Sequence, residues 1–410
     1  MTDSDRQPPF AGRTVLIVHP AWHSCGTYQV VLGQAQAWRA LGAHVVALAL
    51  RDWPPGSLDP ASARWRDYIA HTGDMPAHER FFANAPVTAF ADPRFWSEIY
   101  WPLIHGDHAR ATSAMMAAAP TPEGLSGRRI DLVHCNHFFC MPVALRFGAP
   151  VMVETHDIQA RQYDLRNDSL FIVPPRATYD AMLDAETGWL AKADLVVHLN
   201  DEEKRVFARL APERPHALLY PAVPPVPTGP GGADIVIVAS GNLPNTLSVI
   251  WYLEHVAPRA PAPVRIVGNV EAAVKARAPA LHARYASLFA GRVDDIAAVY
   301  ANAGLVLLPT TEGHGLSIKT VEAMASGAPL VATRAAFRGM TLDPAGLSNV
   351  ALADTAEDFA AAISQAVAHG LGRDAASRAA SDTRRAWDEY FSARAYMRAL
   401  SALATPLIAP

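Results

Sequence analysis

The feature that most constrains this chain is the alternation of short apolar runs with stretches of helical periodicity. Residues 14–18, "TVLIV", form a continuous apolar run of strand length, as expected for a strand buried on both faces of a parallel sheet. The following stretch places Val31, Ala35 and Trp38 at helical spacing, and "VVALAL" (45–50) is the next strand. Such alternation predicts an α/β fold with doubly wound parallel sheets covered by helices.

The alternation continues, stops at a proline-rich segment and then restarts. Residues 212–234 hold seven prolines, more than a helix tolerates, and predict a linker. Further buried strands are predicted on either side of it, at 130–135, 150–155, 193–199, 234–240, 264–268, 288–293, 303–309 and 330–333. We therefore predict an N-terminal Rossmann-like domain (1–212), a linker (213–233), a C-terminal Rossmann-like domain (234–383) and a C-terminal helical segment (384–410), for which packing back on the N-terminal domain is left open.

Composition excludes several classes of function. The net charge is -4 over 410 residues without a lysine or arginine run, which argues against nucleic acid as the main partner. No stretch approaches the ~20 apolar residues of a membrane span, and the acidic N-terminus lacks the features of a secretory signal. Three cysteines (Cys25, Cys135 and Cys140) cannot all pair, which is typical of a reducing cytoplasm. We expect a cytoplasmic protein, with contact to the inner face of the membrane and the oligomeric state left open.

Residues 52–127 are less regular and contain a concentration of aromatic side chains between 81 and 101. We expect ordinary packing for them, because exposed aromatic patches are uncommon. An insertion over the first domain is the alternative. The aromatic residues are Phe81, Phe82, Phe95, Trp96, Tyr100 and Trp101.

The stretch "TEGHGLSIKTVEAMASGAPLVAT" (311–333) predicts a turn, a helix and a strand following a buried strand. Gly313 and Gly315 allow a sharp turn that approaches a ligand closely. The helix is predicted to begin near Leu316, where free N–H groups and the positive end of the helix dipole suit a phosphate. Ligands of open α/β sheets lie beyond the carboxyl ends of the strands, where this turn is predicted.

Lys319 and Glu322 lie three residues apart on this helix, on a face shared with Ser326 and adjacent to the face of Ile318, Val321 and Ala325, which we expect in the core. Two interpretations of the pair remain open. One is an exposed ion pair worth ~0.3–0.5 kcal/mol. The other is a nucleoside diphosphate site, in which Lys319 binds phosphate and the Glu322 carboxylate accepts hydrogen bonds from two ribose hydroxyls.

The segment "GHGLSIKTVEAMASGAPLVAT" resembles the donor-site motif of the retaining, GT-B fold glycosyltransferases, specifically glycosyltransferase family 4 (glycosyl transferases group 1). "DLVHCNHFFCMPVAL", "VETHD", "ADLVVHLNDEE", "GNLPNTLSVIWYLEHVAP" and "AGRVDDIAAVYANAGLVLLP" follow the family's usual order over most of 130–333. The resemblance implies two Rossmann-like domains facing each other across a cleft. It also implies metal-independent transfer, with retention, from a nucleoside diphosphate sugar to a glycan, lipid-linked or small-molecule acceptor, with no cofactor.

The resemblance carries over to individual residues on the donor side. Glu322 matches the glutamate that holds the ribose, while His314 stands where the family has an acid that contacts the donor sugar; Glu312 lies two residues earlier. At other positions where the family has basic residues, this chain has uncharged ones. The resemblance therefore implies that Lys319, the start of the helix and Arg292 or Arg338 neutralise the pyrophosphate. The donor-binding set implied in this way is Gly26, Gly241, Asn242, Arg292, Gly313, His314, Gly315, Leu316, Ser317, Lys319 and Glu322.

The resemblance also implies roles near the end of the strand "PVMVET". His156 matches a histidine on the donor-sugar side and joins Lys319 and Glu322 as the catalytic set, while Asn136, His137 and Asp157 are expected on the acceptor side. The cluster "HCNHFFC" (134–140) lacks a standard zinc spacing, and no metal is expected.

Three alternatives are left open. The first is a sugar-nucleotide epimerase, the second a hydrolase of the same fold, and the third an inactive partner subunit of that fold.

Overall fold

The computed structural model describes residues 8–23, 25–51, 61–161, 178–260, 262–371 and 374–408. The chain forms two compact units: Met1–Pro221 together with Tyr396–Pro410, and Ala222–Ala395. The two units are called unit 1 and unit 2 below.

Unit 1 is built on a parallel sheet of seven strands in the order β3-β2-β1-β4-β5-β6-β7. The central strands are almost wholly buried, as the continuous apolar runs predict. The strands are β1 (Thr14–Pro20), β2 (His44–Leu50), β3 (Glu79–Ala83), β4 (Leu132–Asn136), β5 (Val151–Glu154), β6 (Leu195–His198) and β7 (His216–Leu218). Among the described residues before 221, the α-helices are α1 (Gly26–Ala40), α2 (Ala61–His71), α3 (Trp101–Ile104), α4 (His108–Ala117), α5 (Met141–Ala144), α6 (Tyr179–Leu190) and α7 (Asp201–Leu210).

Unit 2 is built on a parallel sheet of six strands in the order β10-β9-β8-β11-β12-β13. Its strands are β8 (Asp234–Val238), β9 (Val264–Val267), β10 (Phe289–Gly291), β11 (Ala303–Leu308), β12 (Leu330–Ala332) and β13 (Val350–Leu352). The later helices are α8 (Leu243–Trp251), α9 (Glu271–Arg277), α10 (Pro279–Tyr285), α11 (Ile296–Asn302), α12 (Ile318–Ser326), α13 (Ala356–Ala368), α14 (Ala375–Ala379), α15 (Asp382–Tyr390) and α16 (Ala393–Ile408). The helix predicted at 249–258 continues from α8 into a π-helical turn, Tyr252–Val256.

The predicted α/β class and the two doubly wound parallel sheets are confirmed. Three strands were missed, namely β3, β7 and β13, and each lies at the edge of its sheet. Edge strands pair on one side only, and β7 and β13 are three residues long without a fully buried residue, unlike the longer buried runs that mark the central strands. The predicted linker 213–233 is corrected at its start, because it contains β7.

The aromatic segment departs from the prediction of ordinary packing. Phe95 is buried with Ile99 and Met115, and Phe81 and Phe82 belong to β3. Three large rings nevertheless remain exposed, with 50% of Trp96, 43% of Tyr100 and 56% of Trp101 accessible to solvent.

Candidate active site

The candidate site of unit 2 lies where the order of its strands reverses. The strand β8 pairs with β9 on one side and with β11 on the other, so the chain winds away from β8 in both directions. Ligands of open α/β sheets bind at such a switch point, beyond the carboxyl ends of the strands. A cavity opens there, lined by Val238, Ala239, Asn245, Leu308, Ser317 and Lys319 among others.

The glycine turn that follows β11 has the backbone that only glycine adopts readily. Gly313 has φ of 134° and Gly315 has φ of 67°. A Cβ atom on Gly313 would stand 2.6 Å from Nη2 of Arg338. The same Nη2 donates to the backbone oxygen of His314 at 3.5 Å. The turn and the Arg338 guanidinium therefore lie against each other, while the His314 side chain is exposed.

The helix α12 begins at Ile318, slightly later than the predicted start near Leu316. Ser317 is its N-cap, and the Ser317 hydroxyl accepts from the backbone N–H of Thr320 at 3.4 Å, which satisfies one of the free donors of the first turn. Val321 is buried as predicted, but Ile318 is 42% exposed, so its assignment to the core was wrong. Ser326 also departs from the expected ligand face, because it is buried and donates to the backbone oxygen of Ala323.

Lys319 reaches back over the end of the sheet. Its side chain is half-buried, and Nζ donates to the hydroxyl of Ser240, directly after β8, at 3.3 Å. Burial lowers the pKa of the Lys319 ammonium; Glu322 opposes this shift and nearby Arg338 adds to it. The site therefore holds a desolvated cation with a second cation close by, an arrangement that an anion would stabilise.

Glu322 lies on the same face of α12 and is also half-buried. Burial raises the pKa of the Glu322 carboxyl, against the opposing effects of Lys319 and of a hydrogen bond with Tyr300. Tyr300 is fully buried, and its hydroxyl also contacts the backbone oxygen of Lys319 at 3.3 Å. Both side chains of the pair are described, and no direct ion pair joins them. The interpretation as an exposed salt bridge is therefore wrong.

The loop after β8 is ordered by its own polar groups. Asn242 is the N-cap of α8, and its Oδ1 accepts from the N–H of Asn245 at 3.0 Å. The N–H of Gly241 donates to Oδ1 of Asn269 at 2.9 Å, and Nδ2 of Asn245 donates to Ser240 at 2.8 Å. This loop brings no charge to the cavity.

Of the two arginines considered for the pyrophosphate, Arg338 lies beside Lys319 and the glycine turn. Arg292 is exposed and follows β10, which is separated from β8 by β9. The arrangement favours Arg338 as the second cation.

Unit 1 has a polar cluster at its own switch point, where β1 lies next to β4. Asn136 ends β4, and His137 and His156 follow β4 and β5. His137 and His156 have φ of 65° and 63°, and they are the non-glycine residues with positive φ in the described ranges. Their rings stack with centroids 4.3 Å apart. Strained backbone of this kind clusters at functional sites, and the structure brings Asn136, His137 and His156 together.

Two further predicted residues lie close to this cluster. Asp157 follows His156, and its side chain contacts that of Gln159. Gly26 was expected in a loop but is the first residue of α1, its φ is not positive, and a Cβ atom there would meet open space. Nothing in the backbone of Gly26 requires glycine.

The segment "HCNHFFC" does not form a metal-binding group among the described residues. His134 is instead bonded to Trp38 and Glu154 in the core. The described ranges do hold a group formed by His23, Asp67 and His71. Its two imidazole rings are stacked at 16°, so their lone pairs lie in nearly parallel planes rather than converging on one ion.

Sequence reasoning missed several polar residues of the two clusters. Ser240 and Tyr300 come from segments distant in sequence from Lys319, and nothing local marked them. Gln34 and Glu154 did carry a signal, because each is a polar residue within an otherwise apolar helix face or strand.

Comparison with known proteins places these observations in context. Residues 234–369 match the family model described as glycosyl transferases group 1. The curated protein sequences contain no significant match.

Three solved structures are similar over almost the whole chain. HepE from Anabaena, in complex with UDP, has a TM-score of 0.62 at 15% identity, covering 96% of this chain and 100% of that one. Sucrose-phosphate synthase from Thermosynechococcus elongatus gives 0.60 at 16% identity, with 97% and 99% covered. The UDP-forming α,α-trehalose-phosphate synthase from Burkholderia vietnamiensis gives 0.61 at 13% identity, with 97% and 99% covered.

These likenesses confirm the GT-B type of fold, and the matched domain covers the switch-point cavity, the glycine turn and α12. Together they support glycosyltransferase function. Among the described residues, no helix is both long and apolar enough to span a membrane.

Proposed function

We propose that the chain is a retaining glycosyltransferase of family 4 that moves a sugar from a nucleoside diphosphate sugar to an acceptor. One observation carries the proposal. A desolvated lysine and a desolvated glutamate lie on one face of α12, beside a glycine turn at the switch point of unit 2, and they are not paired with each other. A cation for the diphosphate and a carboxylate for the ribose account for both.

In this proposal the diphosphate lies between the glycine turn and the start of α12. Lys319 and Arg338 supply the positive charge, and the free N–H groups of α12 add the positive end of the helix dipole. Glu322 accepts hydrogen bonds from the two ribose hydroxyls, for which a carboxylate is well suited. Ser240 holds the Lys319 ammonium in position before the ligand arrives.

The same groups would stabilise the departing diphosphate. Negative charge develops on the leaving group as the bond to the sugar breaks, and preorganised cations and N–H donors stabilise it most effectively where water is excluded. Because two side-chain cations are already present, we propose that transfer needs no metal. His314 or Glu312 stays a candidate for contact with the donor sugar, as does Gly26 for the phosphates.

In this proposal unit 1 supplies the acceptor side, with Asn136, His137 and Asp157 as candidate contacts. The exposed rings of Trp96, Tyr100 and Trp101 suit a lipid-linked acceptor, because Trp and Tyr favour the membrane interface. Co-sedimentation with vesicles that contain anionic lipid tests whether these rings contact a membrane. The chain is expected to bind the vesicles, and a Trp96→Ala/Trp101→Ala double variant is expected to bind less. Equal binding of both proteins contradicts the assignment.

The decisive experiment measures release of nucleoside diphosphate from a panel of UDP- and GDP-sugars, with and without candidate acceptors. An active transferase releases diphosphate faster with acceptor and forms a glycoside whose anomeric configuration, read by NMR, matches that of the donor. Release that is independent of acceptor, without a glycoside, indicates a hydrolase. Conversion of the donor sugar without release indicates an epimerase, and a protein that binds but never turns over any donor is an inactive subunit.

A further inference from the structure

Arg378 is a buried cation that the proposed nucleotide site does not use. Its side chain is 0% exposed, and among the described residues its hydrogen bonds go to backbone carbonyl oxygens rather than to a carboxylate. Burial of a charge is costly unless other groups stabilise it. The position of those carbonyl oxygens indicates what the arginine does.

The carbonyl oxygens lie at the C-terminal ends of two helices. Nη2 of Arg378 donates to the oxygen of Tyr300 at 2.8 Å and Nη1 to that of Ala301 at 2.6 Å, both in the last turn of α11. Nε donates to the oxygen of Ser326, the last residue of α12, at 3.1 Å. The last carbonyl groups of a helix lack partners within it and carry partial negative charge. One guanidinium therefore satisfies and stabilises two helix ends.

The backbone of Arg378 also lies against α12. Gly327 ends that helix with φ of 67°, and a Cβ atom on Gly327 would overlap the backbone oxygen of Arg378, so this close approach requires glycine. Arg384, on α15, donates from Nη1 to the backbone oxygen of Ala325. The segment that carries these two arginines therefore holds the C-terminal end of α12 in place.

Tyr300 connects this arrangement to the candidate site. Its backbone oxygen is bonded to Arg378, whereas its side chain is 0% exposed and reaches α12, where the hydroxyl lies 3.3 Å from the backbone oxygen of Lys319. Side chains of a helix tilt toward its N-terminus, so the Glu322 side chain extends back over the same turn. The Tyr300 hydroxyl and the Glu322 carboxylate are hydrogen-bonded there.

The Tyr300 hydroxyl has one hydrogen, and the surroundings favour the carboxylate as its acceptor. A distance of 3.3 Å is long for an O–H donor, and the backbone oxygen of Lys319 already accepts a hydrogen bond within the helix. An ionised carboxylate is the stronger acceptor. Burial, together with the charge of Glu322, raises the pKa of Tyr300 well above its usual value, so the hydroxyl stays protonated and can donate.

We propose that Arg378 and Tyr300 are positioning residues for the Glu322 carboxylate, in which the guanidinium fixes the end of α11 against the end of α12 and the tyrosine hydroxyl orients the carboxylate toward the ribose. This inference rests on the proposed function for the identity of the ligand, but the hydrogen bond between Tyr300 and Glu322 does not depend on it. A carboxylate has about four lone-pair sites, so one bond to Tyr300 leaves enough for both ribose hydroxyls.

The hydrogen bond is tested without any ligand by ¹³C NMR of the Glu322 carboxyl carbon, whose signal is identified by its loss in Glu322→Gln. Lys319 and the Tyr300 hydroxyl favour the charged carboxylate, while burial opposes it. Tyr300→Phe removes the hydroxyl alone, so we expect a higher pKa of Glu322 in this variant than in the wild-type protein. An unchanged pKa overturns the proposal.

Tyr252→Phe is the matched control for this titration. Tyr252 is also a buried tyrosine of unit 2, 1% exposed, and its removal of a hydroxyl elsewhere in the core should leave the pKa of Glu322 at its wild-type value. An equal rise in the pKa of Glu322 in both variants would assign the effect to general loosening of unit 2 and would contradict the proposal.

The positioning of Glu322 is tested by calorimetry with UDP and 2′-deoxy-UDP, and with GDP and 2′-deoxy-GDP as a second pair. In Tyr300→Phe we expect the Kd for UDP to rise about two- to tenfold, as the loss of one hydrogen bond would cause. The Kd for 2′-deoxy-UDP should rise less, so that the preference for the ribose falls. A tyrosine with a purely structural role would weaken both nucleotides equally, and that result contradicts the proposal.

The role of Arg378 is tested by Arg378→Lys, which keeps the charge but loses the planar fork that bonds both helix ends. The control is Arg385→Lys, because Arg385 is an exposed arginine on α15. We expect Arg378→Lys to lower the ribose preference, and the Arg378→Lys/Tyr300→Phe double variant to lower it no further than Tyr300→Phe does, since the arginine acts through the tyrosine. Arg385→Lys should keep the wild-type preference.

Three results overturn the part assigned to Arg378: additive losses in the double variant, a wild-type ribose preference in Arg378→Lys, or failure of Arg378→Lys to fold, which would limit the arginine to folding. Tyr300→Phe decides the part assigned to the hydroxyl in each case. A wild-type protein that binds neither UDP nor GDP refutes the proposed function instead, and the ¹³C titration still decides whether Tyr300 bonds Glu322.

Discussion

Replacement of Lys319 by methionine separates a ligand-binding lysine from a structural one. Methionine has a similar length and shape but no charge. The Lys319 ammonium is half-buried, its single hydrogen bond to a described residue is the 3.3 Å contact to Ser240, and burial lowers its pKa. Removing it should therefore leave folding stability nearly unchanged, since the folded protein gains little from a desolvated cation that lacks a direct ion pair.

The expected loss in binding follows from the interaction that is removed. A hydrogen bond between an ammonium and a phosphate oxygen contributes about 1.5–3 kcal/mol. At 1.4 kcal/mol per factor of ten, the Kd for UDP rises about 10- to 150-fold. The Kd for uridine, which carries no phosphate, stays the same because Lys319 is not expected to touch the base or the ribose.

Isothermal titration calorimetry of wild-type, Lys319→Met and Lys275→Met proteins with UDP and uridine provides the measurement, with GDP and guanosine as a second pair. Lys275 is an exposed lysine of the same unit and serves as the control. An equal loss for nucleotide and nucleoside would refute the reasoning, as would an effect no larger than that of Lys275→Met.

Three other expectations follow from the same contacts. Glu322→Gln reduces the preference for UDP over 2′-deoxy-UDP, because the uncharged amide has one acceptor oxygen where the carboxylate has two; an undiminished preference in calorimetry places the ribose elsewhere. Donor turnover is unchanged by EDTA, and its loss and recovery on addition of Mg²⁺ or Mn²⁺ would contradict transfer without a metal. Burial raises the pKa of Glu186 to about 8, and of Glu203 likewise to about 8. The folded chain therefore holds protons that the unfolded chain releases near pH 4.3, so the free energy of unfolding falls as pH rises from about 4.3 to about 8, by up to ~1.4 kcal/mol per pH unit for each carboxyl. Denaturant titrations at several pH values give the free energy of unfolding, which should fall less steeply with pH in Glu186→Gln than in the wild-type protein. An identical dependence on pH would contradict a protonated Glu186.

The sequence was sufficient for the framework because buried parallel strands read as continuous apolar runs. Ten strands were predicted in this way, including β8 and β11, which flank the cavity. The three missed strands are short edge strands such as β7, "HAL", which has only half-buried residues. Pairing with a neighbour, rather than local hydrophobicity, determines that such segments are strands.

The site was predictable to the extent that helical spacing determines it. Lys319 and Glu322 share a face because they are three residues apart, and that is a property of the sequence alone. Their partners Ser240 and Tyr300 come from other segments, and only the sheet order brings them close. The exposure of Trp96 and Trp101 was also beyond the sequence, since a π-helical turn at Phe95–Tyr100 alters which side chains share a face.

The central claim is that unit 2 binds a nucleoside diphosphate between the glycine turn and the start of α12. A crystal structure of the chain with UDP, or with GDP if calorimetry favours it, tests this most directly. We expect the β-phosphate within hydrogen-bond distance of Nζ of Lys319 and of N–H groups at the start of α12, and both ribose hydroxyls on Glu322. A nucleotide bound elsewhere, with Lys319 still bonded only to Ser240, would contradict the account.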